Sequence, residues 1–234
     1  MKILAAECSA TPASCAIVSD SKILASSFTN VKLTHSQTLL PMIDSLLRAS
    51  KTDLNGIDGF CVSFGPGSFT GIRIGISAIK GLAQAGNIPC AGVSTLHAMA
   101  QNLRGMDVIA CCTMDARCHQ LYNALFRVSP AGITRLCEDR AISVENLASR
   151  LEADSQDCPI VILGDGAELF YPYVRHLDRV SLADETRRYQ NAVGVALCAE
   201  EIFRQNKGVS AAELLPFYLR PPQAERQRGR KEET

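Results

Sequence analysis

The chain has 234 residues, 47% of them apolar, with 24 Lys and Arg balanced by 24 Asp and Glu. That length buries one large core or two modest ones. A net charge of zero argues against a protein that grips nucleic acid unaided, because phosphate contacts need a surplus of cations on one surface.

Cations cluster at Arg226, Arg228, Arg230 and Lys231, closed off by Glu232 and Glu233, and residues 221–234 are expected to form a disordered polar tail. No apolar run approaches the roughly 20 residues of a membrane span, and the run after Lys2 is broken and lacks a signal-peptide cleavage pattern. A cytoplasmic protein without a membrane anchor is expected. Ten cysteines raise a disulfide or zinc reading, but none forms C-x-x-C. Cys61, Cys90, Cys111, Cys158 and Cys198 lie in apolar runs, where Cys behaves as a small, reduced hydrophobe. Cys111, Cys112, Cys118 and His119 could supply metal ligands, yet strand alternation points Cys111 and Cys112 to opposite faces.

Residues 2–7, 14–19 and 22–29 are predicted strands, separated by turn-rich Ser9-Ala10-Thr11-Pro12 and Ser19-Asp20-Ser21, links short enough for antiparallel neighbours. Leu39, Leu40, Ile43, Leu46 and Leu47 mark an amphipathic helix preceded by a capping box from Thr34 to Gln37. Pro41 either kinks that helix or marks its true first turn. A strand at 59–64, a glycine-rich turn, a helix at 70–85, a strand at 89–93 and a helix at 95–103 complete a first half, residues 1–104. Three antiparallel strands feeding helix-linked parallel strands is the ribonuclease H-like, actin-like α/β order. Strands at 107–114, 120–128 and 133–138, with Ser129-Pro130-Ala131-Gly132 as a hairpin loop, then a helix at 146–151, a strand at 159–163 and helices at 167–175 and 192–204 follow. They repeat the order in shortened form over residues 105–220. Halves duplicated in this way normally clasp a ligand between them, and shortening one weakens its side of the cleft.

The most informative segment is residues 63–75, Ser-Phe-Gly-Pro-Gly-Ser-Phe-Thr-Gly-Ile-Arg-Ile-Gly, whose glycines sit at a strand-to-helix turn. Amides freed at the start of that helix, with its dipole, could receive a phosphate through Gly65, Gly67, Ser68 and Thr70. The plainer reading is a tight turn that caps the helix, with Ser68 or Thr70 as N-cap, and phosphate binding is the weaker alternative. A P-loop fails, because Thr70 and Ile72 stand five residues after Gly65 and Gly67 where glycine is needed. A dinucleotide fingerprint fails too: Thr70 replaces its last glycine, and residues 84–93 hold no carboxylate. Nucleophile elbows fail at Gly75-Ile76-Ser77 and Gly92-Val93-Ser94, which continue to Ile79 and Leu96 instead of glycine. H-E-x-x-H is absent. Asp115 and Arg117, two apart at a strand end, read either as an acid with a phosphate clamp or as an ion pair with turn contacts.

Leu4-Ala5-Ala6-Glu7-Cys8-Ser9, His35-Ser36-Gln37 with Leu40-Pro41-Met42-Ile43, the glycine turn at 65–75 and Lys80-Gly81-Leu82-Ala83 form one ordered series of motifs. Gly92-Val93-Ser94-Thr95-Leu96, Met114-Asp115-Ala116-Arg117 and Pro216-Phe217-Tyr218-Leu219-Arg220 continue it. In order and spacing the series resembles the TsaB (YeaZ) family from Ile3 to Arg220. Departures are Glu7 where the family usually has Asp, Cys8 where it usually has Thr, and Cys118. The resemblance implies an actin-like fold and a non-catalytic activating subunit of the complex that installs threonylcarbamoyl on the tRNA adenosine beside the anticodon. It implies TsaD, which transfers the group, as heterodimer partner, and TsaE, an ATPase, in a ternary complex with ATP. TsaC would supply threonylcarbamoyl-adenylate, tRNA would be reached through the complex, and the chain alone could form a homodimer. No cofactor of its own is implied, and no metal: the two metal-holding histidines of TsaD match Thr95 and Met99 here, with His97 out of register. The alternative is a peptidase or nucleotide-dependent enzyme of the same fold acting by itself.

The helix at 70–85 is apolar nearly all round, so both of its sides should be covered. Ile72, Ile76, Ile79 and Ala83 are predicted to fill a core. Gly71, Ile74, Ser77, Ala78, Gly81 and Ala85 form an opposite, mostly small stripe suited to a partner helix, with Arg73 and Lys80 as a charged rim. Leu40 and Ile43 of the preceding helix are assigned to the same docking surface. The competing reading is that the chain's own C-terminal segment or second half covers the stripe.

Overall fold

The computed structural model describes residues 1–154 and 157–220, so the tail at 221–234 lies outside the described residues. β1 (Lys2–Glu7), β2 (Ala13–Ser19) and β3 (Lys22–Thr29) form an antiparallel meander, followed by α1 (His35–Ala49), β4 (Gly59–Gly65), α2 (Phe69–Gly86), β5 (Cys90–Ser94) and α3 (Thr95–Ala100). The first sheet has the order β3-β2-β1-β4-β5, with β1, β4 and β5 parallel.

The rest of the chain gives β6 (Val108–Asp115), β7 (Gln120–Ser129), β8 (Gly132–Arg135), β9 (Arg140–Ser143), α4 (Val144–Ala153), β10 (Ile160–Leu163), α5 (Ala167–Phe170), β11 (Val180–Leu182), α6 (Glu185–Arg188) and α7 (Ala192–Arg204). The second sheet runs β11-β10-β6-β7-β8, with β9 also paired to β7. Read from the other edge it is two antiparallel pairings and then two parallel ones, the same succession as in the first sheet. The duplication puts Glu7 and Asp115 at equivalent strand ends and gives both central parallel strands a terminal left-handed glycine, Gly65 at φ 131° and Gly164 at φ 104°. The second half is shorter where α5, four residues, replaces the 18-residue α2.

Strand alternation sorts the cores. Leu4 and Ala6 face α1 and α2, whereas Ile3 and Ala5 face α7. Ala110 and Cys112 face α3, while Ile109 and Cys111 face α4 and α5. Each fully buried Leu or Ile contributes about 1.5–3 kcal/mol relative to exposure, so the two sheets hold the molecule together from all four faces. The cores cross the expected boundary at residues 104 and 105. Leu96, Met99 and Leu103 of the α3 segment pack in the core of the second sheet, and Ala192, Val195, Ala196 and Ala199 of α7 pack on the first. The two helices meet where a Cβ on Gly194 would fall 2.1 Å from the Ala98 carbonyl oxygen.

Some local expectations are corrected. Thr34 is the N-cap of α1, but its side chain makes no capping bond. Pro41 does not mark the first turn of α1, which runs from His35 through it to Ala49. The helix expected at 167–175 is α5 followed by a 3-10 turn, Tyr171–Tyr173.

Candidate functional site

Ser68 is the N-cap of α2, its hydroxyl accepting the Gly71 amide at 3.3 Å, while its own amide donates to the Ser9 carbonyl at 2.6 Å. The turn glycines make room for the β1–β2 loop and the C-terminal segment. A Cβ would meet Phe217 O at 2.2 Å from Gly65, Ser9 O at 2.4 Å from Gly67 and Cys8 O at 2.0 Å from Gly71. His35 Nε2 pairs with the Ala10 carbonyl at 2.7 Å and ties α1 to the same loop. Two of these residues, Gly67 and Gly71, therefore owe their small size to backbone packing inside the first half.

Between the halves opens a cleft of about 590 Å³, lined by Ser9 and Thr11 of one loop, Gly67, Ser68 and Thr70 of the glycine turn, and Asp115, Arg117, Asp165 and Arg220 opposite. Asp115 accepts the Arg117 amide at 2.7 Å and pairs with its guanidinium at 3.3 Å, so these two form an ion pair within their own turn. Asp165, held by Gln190 Nε2 at 2.7 Å, titrates at about 6: burial raises it, with smaller contributions from Asp115 and Glu7. Glu7 is fully buried, accepts the Ser9 amide at 2.5 Å, and is likewise raised by burial, against the opposing Ser63 and Ser9 groups. Among the described residues its Oε2 and the Ser9 and Ser63 hydroxyls have no hydrogen-bond partner. Sequence reasoning missed Asp165 and Gln190, which a short loop and a remote segment bring together. The signal available was the glycine-flanked acid in Gly164-Asp165-Gly166.

On the other side of α2 lies a groove of about 640 Å³ against α1, lined by His35, Ser36, Leu39, Leu40, Phe69, Thr70, Arg73, Ile74, Ser77 and Ala78. Leu40 is 50% exposed, Ser77 is exposed, and among the described residues a Cβ on Gly81 would meet nothing within 4 Å. The structure thus brings Leu40, Ile74, Ser77 and Ala78 into one groove and leaves the nearby Gly81 open. It removes two expected members. Ile43 is buried in the first core, because α1 turns its 39, 43, 46 face to the sheet, and Gly71 is pressed against the Cys8 carbonyl. The rim cations are engaged within the chain: Arg73 Nε donates to the Tyr218 hydroxyl at 2.8 Å, and Lys80 Nζ to the carbonyls of Ala212 and Leu214 at 3.1 and 3.2 Å.

Thr95 and Met99 are both fully buried, and Met99 packs so closely on Gly164 that a Cβ there would lie 2.8 Å from its sulfur. The His97 ring stacks on Phe126 at 5.4 Å, and burial, then Arg135, lowers its pKa. Among the described residues no group of three or more His, Cys, Asp or Glu is arranged to hold a metal ion. Cys111 and Cys112 do fall in opposite cores. Among the described residues no helix is long and apolar enough to cross a membrane.

The family described as TsaD, tRNA N6-adenosine threonylcarbamoyltransferase, matches residues 22–225. The tRNA threonylcarbamoyladenosine biosynthesis protein TsaB of Escherichia coli is 31% identical over 94% of this chain and 95% of its own. The crystal structure of a Pseudomonas aeruginosa protein with similarity to peptidase YEAZ superposes with a TM-score of 0.79 at 25% identity, covering 94% of this chain and 99% of that one. For the fold alone, the activator of 2-hydroxyisocaproyl-CoA dehydratase from Clostridium difficile, solved with bound ADPNP, gives a TM-score of 0.50 at 11% identity over 88% of this chain and 97% of that one. The motifs, the duplicated sheets and these similarities agree that the chain belongs to the TsaB (YeaZ) family of tRNA threonylcarbamoyladenosine biosynthesis proteins.

Proposed function

We propose that this chain is a non-catalytic, activating subunit of the complex that attaches threonylcarbamoyl to tRNA adenosine, and that it docks TsaD through the α1–α2 groove. The observation that carries this reading is the groove itself: an apolar channel whose α2 wall is built from Ile74, Ser77 and Ala78, with Gly81 open beyond them. Small residues on a helix admit the close approach of a second helix, and a helix apolar on more than its core side needs a cover. TsaD-family similarity over residues 22–225 supports a related protein as that cover. TsaE joins the pair with ATP, TsaC supplies the activated group, tRNA is reached through the assembly, and the chain uses no cofactor of its own. Without TsaD the same groove serves a homodimer.

A radiolabelled transfer assay with each subunit omitted in turn tests this. Turnover is expected with TsaD and TsaE present and none from this chain alone. Transfer, ATP hydrolysis or peptide cleavage by the isolated chain would establish the competing reading of an independent enzyme.

A further inference from the structure

Residues 209–220 return across the first half as a strap. Val209 and Cys90 exchange two backbone hydrogen bonds of 2.8 Å, and Leu214 is buried in the first core. Beyond Leu214 the attachments are few and lie at the surface. The Phe217 amide donates to the Phe64 carbonyl at 2.8 Å, and the two rings stack at 5.7 Å. Tyr218 stacks on Phe69 at 4.8 Å and receives Arg73 on its hydroxyl, while the Arg73 guanidinium covers the Phe69 ring at 3.9 Å. Arg220 then crosses to the second half and donates to the Ala116 carbonyl at 3.2 Å. Leu215 and Phe217 remain 65% and 41% exposed, so this outer stretch can lift without opening either core.

Phe69 and Arg73 belong to two surfaces at once: they hold Tyr218, and they line the α1–α2 groove. With the strap seated, the long Arg73 side chain is fixed between two rings and a hydroxyl before any partner arrives. Without it, Arg73 would be a mobile surface arginine, and a partner would have to order it on binding. The strap also lines the inter-half cleft through Phe217, Tyr218 and Arg220, so one element touches both the docking groove and the cleft.

We infer that the C-terminal strap regulates the docking groove: its seating through Tyr218 preorganises Phe69 and Arg73 for the partner, and partner docking in turn locks the strap and its Arg220 bridge across the cleft. This rests on the groove being the TsaD docking face. Coupling of this kind is reciprocal. A partner that prefers the seated strap must make the strap harder to open.

The test is hydrogen exchange of the full chain with and without TsaD, combined with titration calorimetry on three variants. TsaD is expected to slow exchange of the strap peptide containing the Phe217 amide. Tyr218→Ala is expected to speed that exchange in the free protein and to weaken TsaD binding about tenfold, the scale of a lost stack and cation–π contact. Tyr218→Phe keeps the stack and removes the hydroxyl that receives Arg73; it should show a smaller loss in the same direction, and it guards against misfolding of the alanine variant. Ser77→Arg, in the groove one turn beyond Arg73 and itself making none of the strap contacts, should abolish binding by obstruction while leaving strap exchange in the free protein unchanged. If Ser77→Arg binds normally, the docking face itself is wrong. If Ser77→Arg blocks binding while Tyr218→Ala frees the strap with affinity unchanged, or if TsaD leaves strap exchange unaltered, the docking face stands and the inferred regulation is overturned.

Discussion

Gly71 sits so close to Cys8 that a Cβ on the glycine would lie 2.0 Å from the Cys8 carbonyl oxygen. That contact seats the first turn of α2 against the β1–β2 loop. Ten residues on, Gly81 has nothing among the described residues within 4 Å of where its Cβ would stand. The same substitution should therefore act in opposite directions. Gly71→Ala must displace backbone and is expected to cost about 3 kcal/mol or more. Gly81→Ala should gain about 0.5–1 kcal/mol by removing a mid-helix glycine. Urea unfolding of the two variants checks both signs.

Stability should fall as pH rises through the range in which Asp165 titrates. Its carboxyl is raised from 3.8 to about 6, first by burial, so between about pH 4 and 6 the folded state keeps a proton that the unfolded chain has released. The stabilisation is complete below about pH 4 and lost above about pH 6, about 3 kcal/mol in all at 1.36 kcal/mol per pH unit. Glu7, also raised by burial, acts in the same direction. Asp165→Asn should flatten the decline and be more stable than the parent at pH 7. An unchanged slope in the variant would mean that Asp165 is ionised throughout.

Thiol reactivity should be selective. Cys118 is exposed, Cys137 and Cys158 are partly exposed, and the rest are buried. Burial raises the Cys111 and Cys198 thiols to about 12, which leaves almost no thiolate at neutral pH. Labelling the native protein with a thiol reagent should give one fast phase that disappears in Cys118→Ser. Several equally fast phases would show that the cores open readily.

A chelator should not change the melting temperature. Thr95 and Met99, which the resemblance sets against the metal-holding histidines of TsaD, are both fully buried, and Met99 packs in the core of the second sheet. Elemental analysis is expected to find less than stoichiometric zinc or iron, and about one tightly held ion per chain would contradict this.

How much of this was legible in the sequence depends on how local each signal is. Strands β1 and β3 are readable to the residue because short strand-like runs are bounded by turn-rich segments. β9, β11 and α6, three or four residues each, are too short to show a period and form through pairing or packing with distant segments. The return of α7 to the first sheet was invisible, since an apolar helix does not say which sheet it covers. Gly71 reads from sequence as a partner contact because small size looks the same whether the close neighbour is a second protein or the chain's own Cys8. The spacing of seven puts Arg73 and Lys80 on one side of α2, where both reach the same segment. What they hold is the strap, more than 130 residues away along the chain.

The docking groove is tested most directly by Gly81→Gln, which fills open space on the outer side of α2 without touching the core. The substituted protein should be as thermostable as the parent or gain up to about 1 kcal/mol, yet fail to co-purify with TsaD and, on its own, fail to dimerise. A variant that keeps its stability and still binds TsaD, or one that melts while binding persists, would contradict the assignment of this face.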